Sequence, residues 1–205
     1  IDLRAERGNS PFDVRHRFTS SYTWDLPFGK GKAFGGDVGE GMNRLVGGWQ
    51  VNGIVTAQSG APFTVRLGTD AVLDGNAFNE QRPNDLPGAF QPDGKGGLIL
   101  TVPRELLIPA EGSYGSLGRN TFRGPKFTNV DFSVFKRIAL TETVDLQFRT
   151  EIFNIFNHPN FALPETNLLS PTFGTFSRTP DVAAGSPRIG SGGQRVIQFA
   201  LKLTF

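Results

Sequence analysis

The last nine residues alternate without a break: Ile197, Phe199, Leu201, Leu203 and Phe205 are apolar, with Gln198, Ala200, Lys202 and Thr204 between them. Successive side chains of a strand point to opposite faces, so this run predicts a β-strand whose faces meet different surroundings. Four more segments share the pattern. Phe18, Tyr22, Trp24 and Leu26 oppose Arg17, Thr19, Ser21, Thr23 and Asp25. Trp49, Val51, Val55 and Ala57 oppose Gln50, Asn52, Thr56 and Gln58, with Ile54 as an apolar intruder, and the parity continues through Ala61, Phe63, Val65 and Leu67. Val130, Phe132 and Val134 oppose Asn129, Asp131 and Ser133, and Val144, Leu146, Phe148 and Ile152 oppose Asp145, Gln147, Arg149 and Glu151. The strands are therefore expected near 15–26, 46–67, 127–138, 143–156 and 194–205.

Alternation does not say whether the apolar face meets lipid or a protein core, because half-solvated sheets of soluble sandwiches share it. The connections discriminate. They run near 27–45, 68–126, 139–142 and 157–193. Membrane barrels alternate short periplasmic turns with long extracellular loops. With Phe205 on the periplasmic side, 68–126 and 157–193 fall outside and 139–142 inside. The 27–45 connection is longer than the rule wants. Trp24 closes one strand and Trp49 opens the next, so both indoles are expected at one interfacial rim, where aromatic girdles lie.

Composition agrees. The 26 Gly, 14 Pro and 19 Phe of 205 residues suit strands joined by irregular loops. No run approaches the roughly 18–20 apolar residues of a membrane helix, whereas a membrane strand needs only about 9–11. A formal charge of +2 without basic runs makes nucleic acid an unexpected partner. The absence of Cys removes disulfides, thiolate metal sites and Cys nucleophiles. The chain starts at Ile1 without a signal sequence, which is expected upstream.

The terminal octet, with Gln198, Ala200, Leu203 and Phe205 as its spaced positions, resembles the β-signal by which outer-membrane barrels are recognised for assembly, though Ala200 stands where Gly is common. Phe205 is then the true C-terminus. Further stretches resemble the Oar-like group of TonB-dependent receptors, of the acidobacterial type. They are Phe12-Asp13-Val14-Arg15-His16-Arg17-Phe18, Gln58-Ser59-Gly60-Ala61-Pro62-Phe63, Leu117-Gly118-Arg119-Asn120-Thr121-Phe122-Arg123-Gly124-Pro125, and the run from Phe148 to Phe161, Phe-Arg-Thr-Glu-Ile-Phe-Asn-Ile-Phe-Asn-His-Pro-Asn-Phe. The resemblance implies a 22-stranded barrel with an N-terminal plug and TonB-driven transport, of which this chain would hold the C-terminal strands. The plug and the TonB box would lie upstream. Five strands cannot close a membrane barrel alone, since the smallest have about eight.

No catalytic constellation emerges, and an enzyme is not expected. His16 and His158 share no metal spacing. Gly29-Lys30-Gly31-Lys32 lacks phosphate-loop spacing, and Ser59 lacks the glycines of a nucleophile elbow. Asp70, Asp74, Asn76, Asn79 and Glu80, with Asp93-Gly94 beyond, are oxygen-rich but match no calcium loop, so no cofactor is expected. Asp145, Arg149 and Glu151 share a strand face, either as an ion-paired lumen wall or as part of a substrate path.

The expectation is an all-β, antiparallel transmembrane barrel segment at the cell outer membrane, with ligand-contacting extracellular loops. Its partners would be outer-membrane lipid, the barrel assembly machinery, TonB, a plug domain and an unknown transported ligand. A passive porin or structural barrel is the first rival. A soluble secreted β-sandwich that binds glycans is the second.

Overall fold

The computed structural model describes Arg4, residues 6–73, Gly75, 81–183 and 192–205. The chain forms two compact units: a loop unit of residues 1–17, 58–127 and 160–186, and a sheet unit of 18–57, 128–159 and 187–205.

The sheet unit is built on five strands, β1 (Arg17–Asp25), β2 (Trp49–Gln58), β7 (Phe127–Ala139), β8 (Asp145–Phe153) and β9 (Val196–Thr204), hydrogen-bonded in the order β1-β2-β7-β8-β9. Leu26 N–H donates to the Trp49 carbonyl and Gln50 to Asp25, so β1 and β2 run antiparallel. The Tyr22 ring lies across Gly53, where a Cβ would come 2.5 Å from the Tyr22 hydroxyl. Aromatic cover of this kind compensates for a glycine that packs nothing itself. β7 and β8 meet at a tight turn in which Leu140 N–H donates to the Val144 carbonyl, and the Thr141 hydroxyl accepts from Val144 N–H at 3.0 Å.

Register sets the faces. β7, β8 and β9 pair antiparallel, which aligns three rows: Ile138, Leu146 and Leu203; Lys136, Phe148 and Leu201; Phe132, Ile152 and Ile197. The opposite face carries Ser133, Glu151 and Gln198, then Arg137, Gln147 and Lys202. Phe199, Leu201, Leu203, Phe18 and Trp24 are all exposed, and Phe148 stacks on Phe199 with ring centres 6.1 Å apart.

A helix, α1 (Glu40–Val46), lies in the β1–β2 connection, where the sequence analysis expected no regular element. No side chain caps its N-terminus, and seven residues are too few to hold a helix alone. Tertiary bonds hold it: Asn43 accepts the Lys30 N–H at 2.7 Å, and the Leu45 carbonyl accepts the Trp49 indole N–H at 2.9 Å. Among the described residues no helix is long and apolar enough to cross a membrane.

The strand expected over 46–67 divides. β2 ends at Gln58, and after Ser59-Gly60-Ala61 the chain re-pairs as β3 (Pro62–Phe63) against β6 (Phe122–Arg123). The parity of Phe63, Val65 and Leu67 persists, but these side chains enter the core of the loop unit with Ala89, Leu98, Leu107, Leu117 and Leu168. Around that core lie a short hairpin, β4 (Phe90–Pro92) with β5 (Leu98–Leu100), a 3₁₀ turn at Arg104–Leu107, and α2 (Pro180–Ala183). The extended strand therefore stops where a protein core replaces the open face.

Three of the stretches behind the family resemblance meet in this unit. The Arg123 guanidinium holds the backbone carbonyl and the carboxylate of Asp13. Gly124 N–H donates to the Ala61 carbonyl at 2.9 Å, and Gly60 packs so close that a Cβ there would sit 1.8 Å from the Gly124 oxygen. Asn120, in the left-handed region at φ 52, donates its N–H to the Thr64 hydroxyl and its amide to the Asn9 carbonyl. Arg82, 8% exposed, forms a two-pronged bond to Glu6 and a third to the Leu117 carbonyl.

Candidate functional site

The polar face of the sheet holds most of the polar chemistry of the sheet unit. Asp145, Arg149 and Glu151 do share one face of β8, each engaged differently. Asp145 pairs with Arg137 on β7. Arg149 donates Nε to Gln147 at 2.8 Å and lies over the Phe135 ring, 4.9 Å from its centre. Glu151 forms no hydrogen bond or ion pair among the described residues and lines a pocket of about 290 Å³. That pocket spans four strands, with Ser21 and Thr23 from β1, Asn52 from β2, Asp131 and Ser133 from β7, and Glu151 from β8. The Asn52 Nδ2 is buried without a partner. Hydroxyls, an amide and two carboxylates on one wall can bind a hydrated or hydroxylated solute.

Asp131 is set from behind by a loop hub. Asn154, left-handed at φ 51 and 3% exposed, donates its backbone N–H to Asp131 Oδ1 at 2.9 Å, and Asn129 donates to the same oxygen at 2.8 Å. The Asn154 amide reaches the His158 and Gly193 carbonyls at 3.0 and 2.8 Å and accepts the His158 N–H. Asn adopts the left-handed conformation more readily than most residues, so the Phe148–Phe161 stretch uses its first Asn as a closing knot. His158 contributes backbone only, and its ring is exposed.

Trp24 and Trp49 lie at the end of the sheet that also holds Asp145 and Thr204, which pair across β8 and β9. Trp24 is exposed, whereas Trp49 is half-buried under the Lys136 ammonium, 5.0 Å from its ring centre. Gln198 pairs with Glu151, Ala200 with Arg149 and Leu203 with Leu146, and Phe205 follows the last paired residue fully exposed. In the loop unit, Asp70 accepts Leu73 N–H, Gly75 N–H and the Gln81 amide, and Asp93 accepts the N–H groups of Lys95 and Gly97. Asp74, Asn76, Asn79 and Glu80 lie outside the described residues. Among the described residues no group of acids and histidines could hold a metal ion.

Lys136 and the pocket are not among the residues expected from sequence. Lys136 follows Val130, Phe132 and Val134 in an apolar stripe, and that break in parity was a visible signal. The pocket has no such signal, because its residues are ordinary polar-face positions on strands far apart in sequence.

An open sheet with apolar side chains exposed along one face, charges and amides along the other, and polar groups as its buried side chains has the wall structure of a membrane β-barrel. The family model for the outer membrane beta barrel domain matches residues 1–198, and the chain belongs to that family. It is an all-β protein of the cell outer membrane. No curated protein and no solved structure matches it. The soluble sandwich, open on periodicity alone, is not favoured by this membership.

Proposed function

We propose that the chain is the C-terminal barrel portion of a TonB-dependent receptor of the Oar-like type, a non-enzymatic transporter. On this reading the sheet is part of the wall of a 22-stranded barrel, and 68–126 and 157–193 are extracellular and contact the ligand. An upstream plug engages TonB, and the Gln198, Ala200, Leu203 and Phe205 pattern is read by the assembly machinery. The ligand moves without covalent change, so no residue acts on it chemically.

One observation carries the reading. The described residues of the long connections help build a unit with its own core of Phe63, Val65, Leu67, Ala89, Leu98, Leu107, Leu117 and Leu168. A preformed surface of this kind supports selective capture, because little ordering entropy is lost when ligand binds. The resemblance of the Asp13, Gly60 and Arg123 stretches adds to it, since these stretches are bonded to one another.

The test follows solutes in the medium of the native host, in strains lacking the receptor or TonB. A solute whose uptake or release fails in both strains supports energised transport. A flux lost with the receptor but retained without TonB returns the passive porin. Orientation has its own test: an epitope at Ser170 of the full-length protein is labelled on intact cells, and one at Thr141 is not. The reverse pattern inverts the topology.

A further inference from the structure

The β1–β2 connection is the part of the sheet unit that the barrel pattern leaves unexplained, since it is long where a short turn is usual. Four of its large apolar side chains are exposed. Phe28 and Phe34 stack with centres 5.6 Å apart, yet are 44% and 60% exposed, and Met42 and Leu45 are 54% and 68% exposed. With roughly 100° between successive helical residues, Leu45, Met42 and Val46 share one arc of α1, and Glu40, Asn43 and Arg44 share the other. The polar arc borders a cleft, which those three residues line with Arg137, Thr141, Glu142 and Asp145 at the β7–β8 turn.

The position of the helix follows from Lys136. This residue belongs to the same face of the sheet as Phe148 and Leu201, yet it is 6% exposed. Its ammonium donates to the Leu45 carbonyl at 3.1 Å and to the Gly47 carbonyl, over the Trp49 ring. The C-terminal end of α1 is thereby fastened over the apolar face of the sheet, at the end bearing Trp24 and Trp49. A cation at a helix C-terminus satisfies carbonyls that have no partner within the helix.

We propose that this connection is an interfacial anchor, with Phe28, Phe34, Met42 and Leu45 dipping into the phospholipid surface that meets this rim of the barrel. Continuity identifies the occupant, because the apolar arc of α1 extends the lipid-facing rows of the sheet. The inference rests on the barrel reading of the sheet.

The experiment uses full-length protein in phosphatidylethanolamine–phosphatidylglycerol vesicles, with single spin labels at Leu45→Cys, Arg44→Cys and Leu201→Cys. The Leu45 label is expected to collide with oxygen and lose collisions with a water-soluble nickel chelate, as the Leu201 label does, while the Arg44 label shows the opposite. Met42→Cys repeats the measurement if Leu45→Cys misfolds. Nickel access at Leu45 equal to that at Arg44 overturns the anchor, with Leu201 still showing that the barrel faces lipid. A Leu45 label shielded from both agents also overturns it, because protein then covers the helix. Nickel access at Leu201 as well removes the barrel reading and the anchor with it.

Discussion

The two units treat apolar side chains in opposite ways. In the loop unit a cluster of them goes inside, and Val65, Leu67, Leu107 and Leu168 are completely buried. In the sheet unit they stay outside, and among its described residues the buried polar and charged side chains are Asn129, Lys136 and Asn154. The same period-two alternation produces both. Ile197, Phe199, Leu201 and Leu203 mark an exposed stripe, and Phe63, Val65 and Leu67, with the same spacing, mark a core. Spacing reports that two faces differ and leaves open what each face meets. The hydrophobic effect acts in both units, with a protein interior as the apolar phase in one and hydrocarbon in the other.

The contrast can be broken most severely from inside the loop unit. Leu67→Ala leaves a cavity in a closed core and is expected to cost that unit about 2–5 kcal/mol. Limited proteolysis of the full-length protein in vesicles should show faster cutting within 81–126 while the strands stay protected. Equal loosening of both units would show one shared core. Slightly smaller is the effect of Leu201→Arg, about 2–4 kcal/mol for a cation at the bilayer midplane. Gln198→Arg, on the opposite face beside Glu151, should stay within about 0.5 kcal/mol. Refolding midpoints in bilayers decide it, and equal losses would mean that no lipid face exists.

Deleting Phe205 probes the last exposed residue of the stripe. Burial of a Phe is worth about 1.5–3 kcal/mol at most, so a large barrel, once inserted, should hardly register its loss. The amount reaching the outer membrane should fall, and the heat stability of the inserted fraction should not. Normal yield with a clear stability loss would argue against the assembly role.

The smallest effect sharpens the loop unit alone. The hydrogen bond from Arg82, with the charges of Arg82 and Arg119, holds the Glu6 carboxyl below its ordinary value of 4.5. A carboxyl lowered by folding stabilises the fold above its unfolded value, and that contribution fades as pH falls through the folded one. The Glu6 contribution should therefore be flat above pH 4.5 and decline below it. Glu6→Gln should flatten part of that decline. The half-exposed carboxylate limits the effect to under about 1 kcal/mol, read as the difference in acid midpoints.

The alternation of Ile197 to Leu203 and of Leu146 to Ile152 made the sheet legible, because strand geometry imposes period two directly. Helix α1 was not legible. Seven residues containing Gly41 carry no helical signal, and Lys30, Trp49 and Lys136 hold the helix from positions up to 91 residues away. The end of β2 was hidden for the related reason that Phe63, Val65 and Leu67 keep the parity of a strand while serving a core. Of the candidate site, Asp145, Arg149 and Glu151 could be named from one strand. Asn52 and Asp131 could not, because only pairing across β1, β2, β7 and β8 brings them to one pocket.

The close crossing at Gly60 and Gly124 has a consequence for how this protein can change. Chain leaving Ala61 returns at Gly124, where Gly124 N–H meets the Ala61 carbonyl, and the β3–β6 pair clasps the neck just beyond. The excursion between them leaves and returns through one clip, and it shares its core with Leu168 and its Arg82 bonds with Glu6. Doubling the length of a loop whose ends already meet adds only about 0.6 kcal/mol of closure entropy. Its exposed turns can therefore be lengthened or shortened while the clip and the shared core are kept, so new binding surfaces can be tried without redesigning the wall. The side chain that cannot be tried is any at all on Gly60.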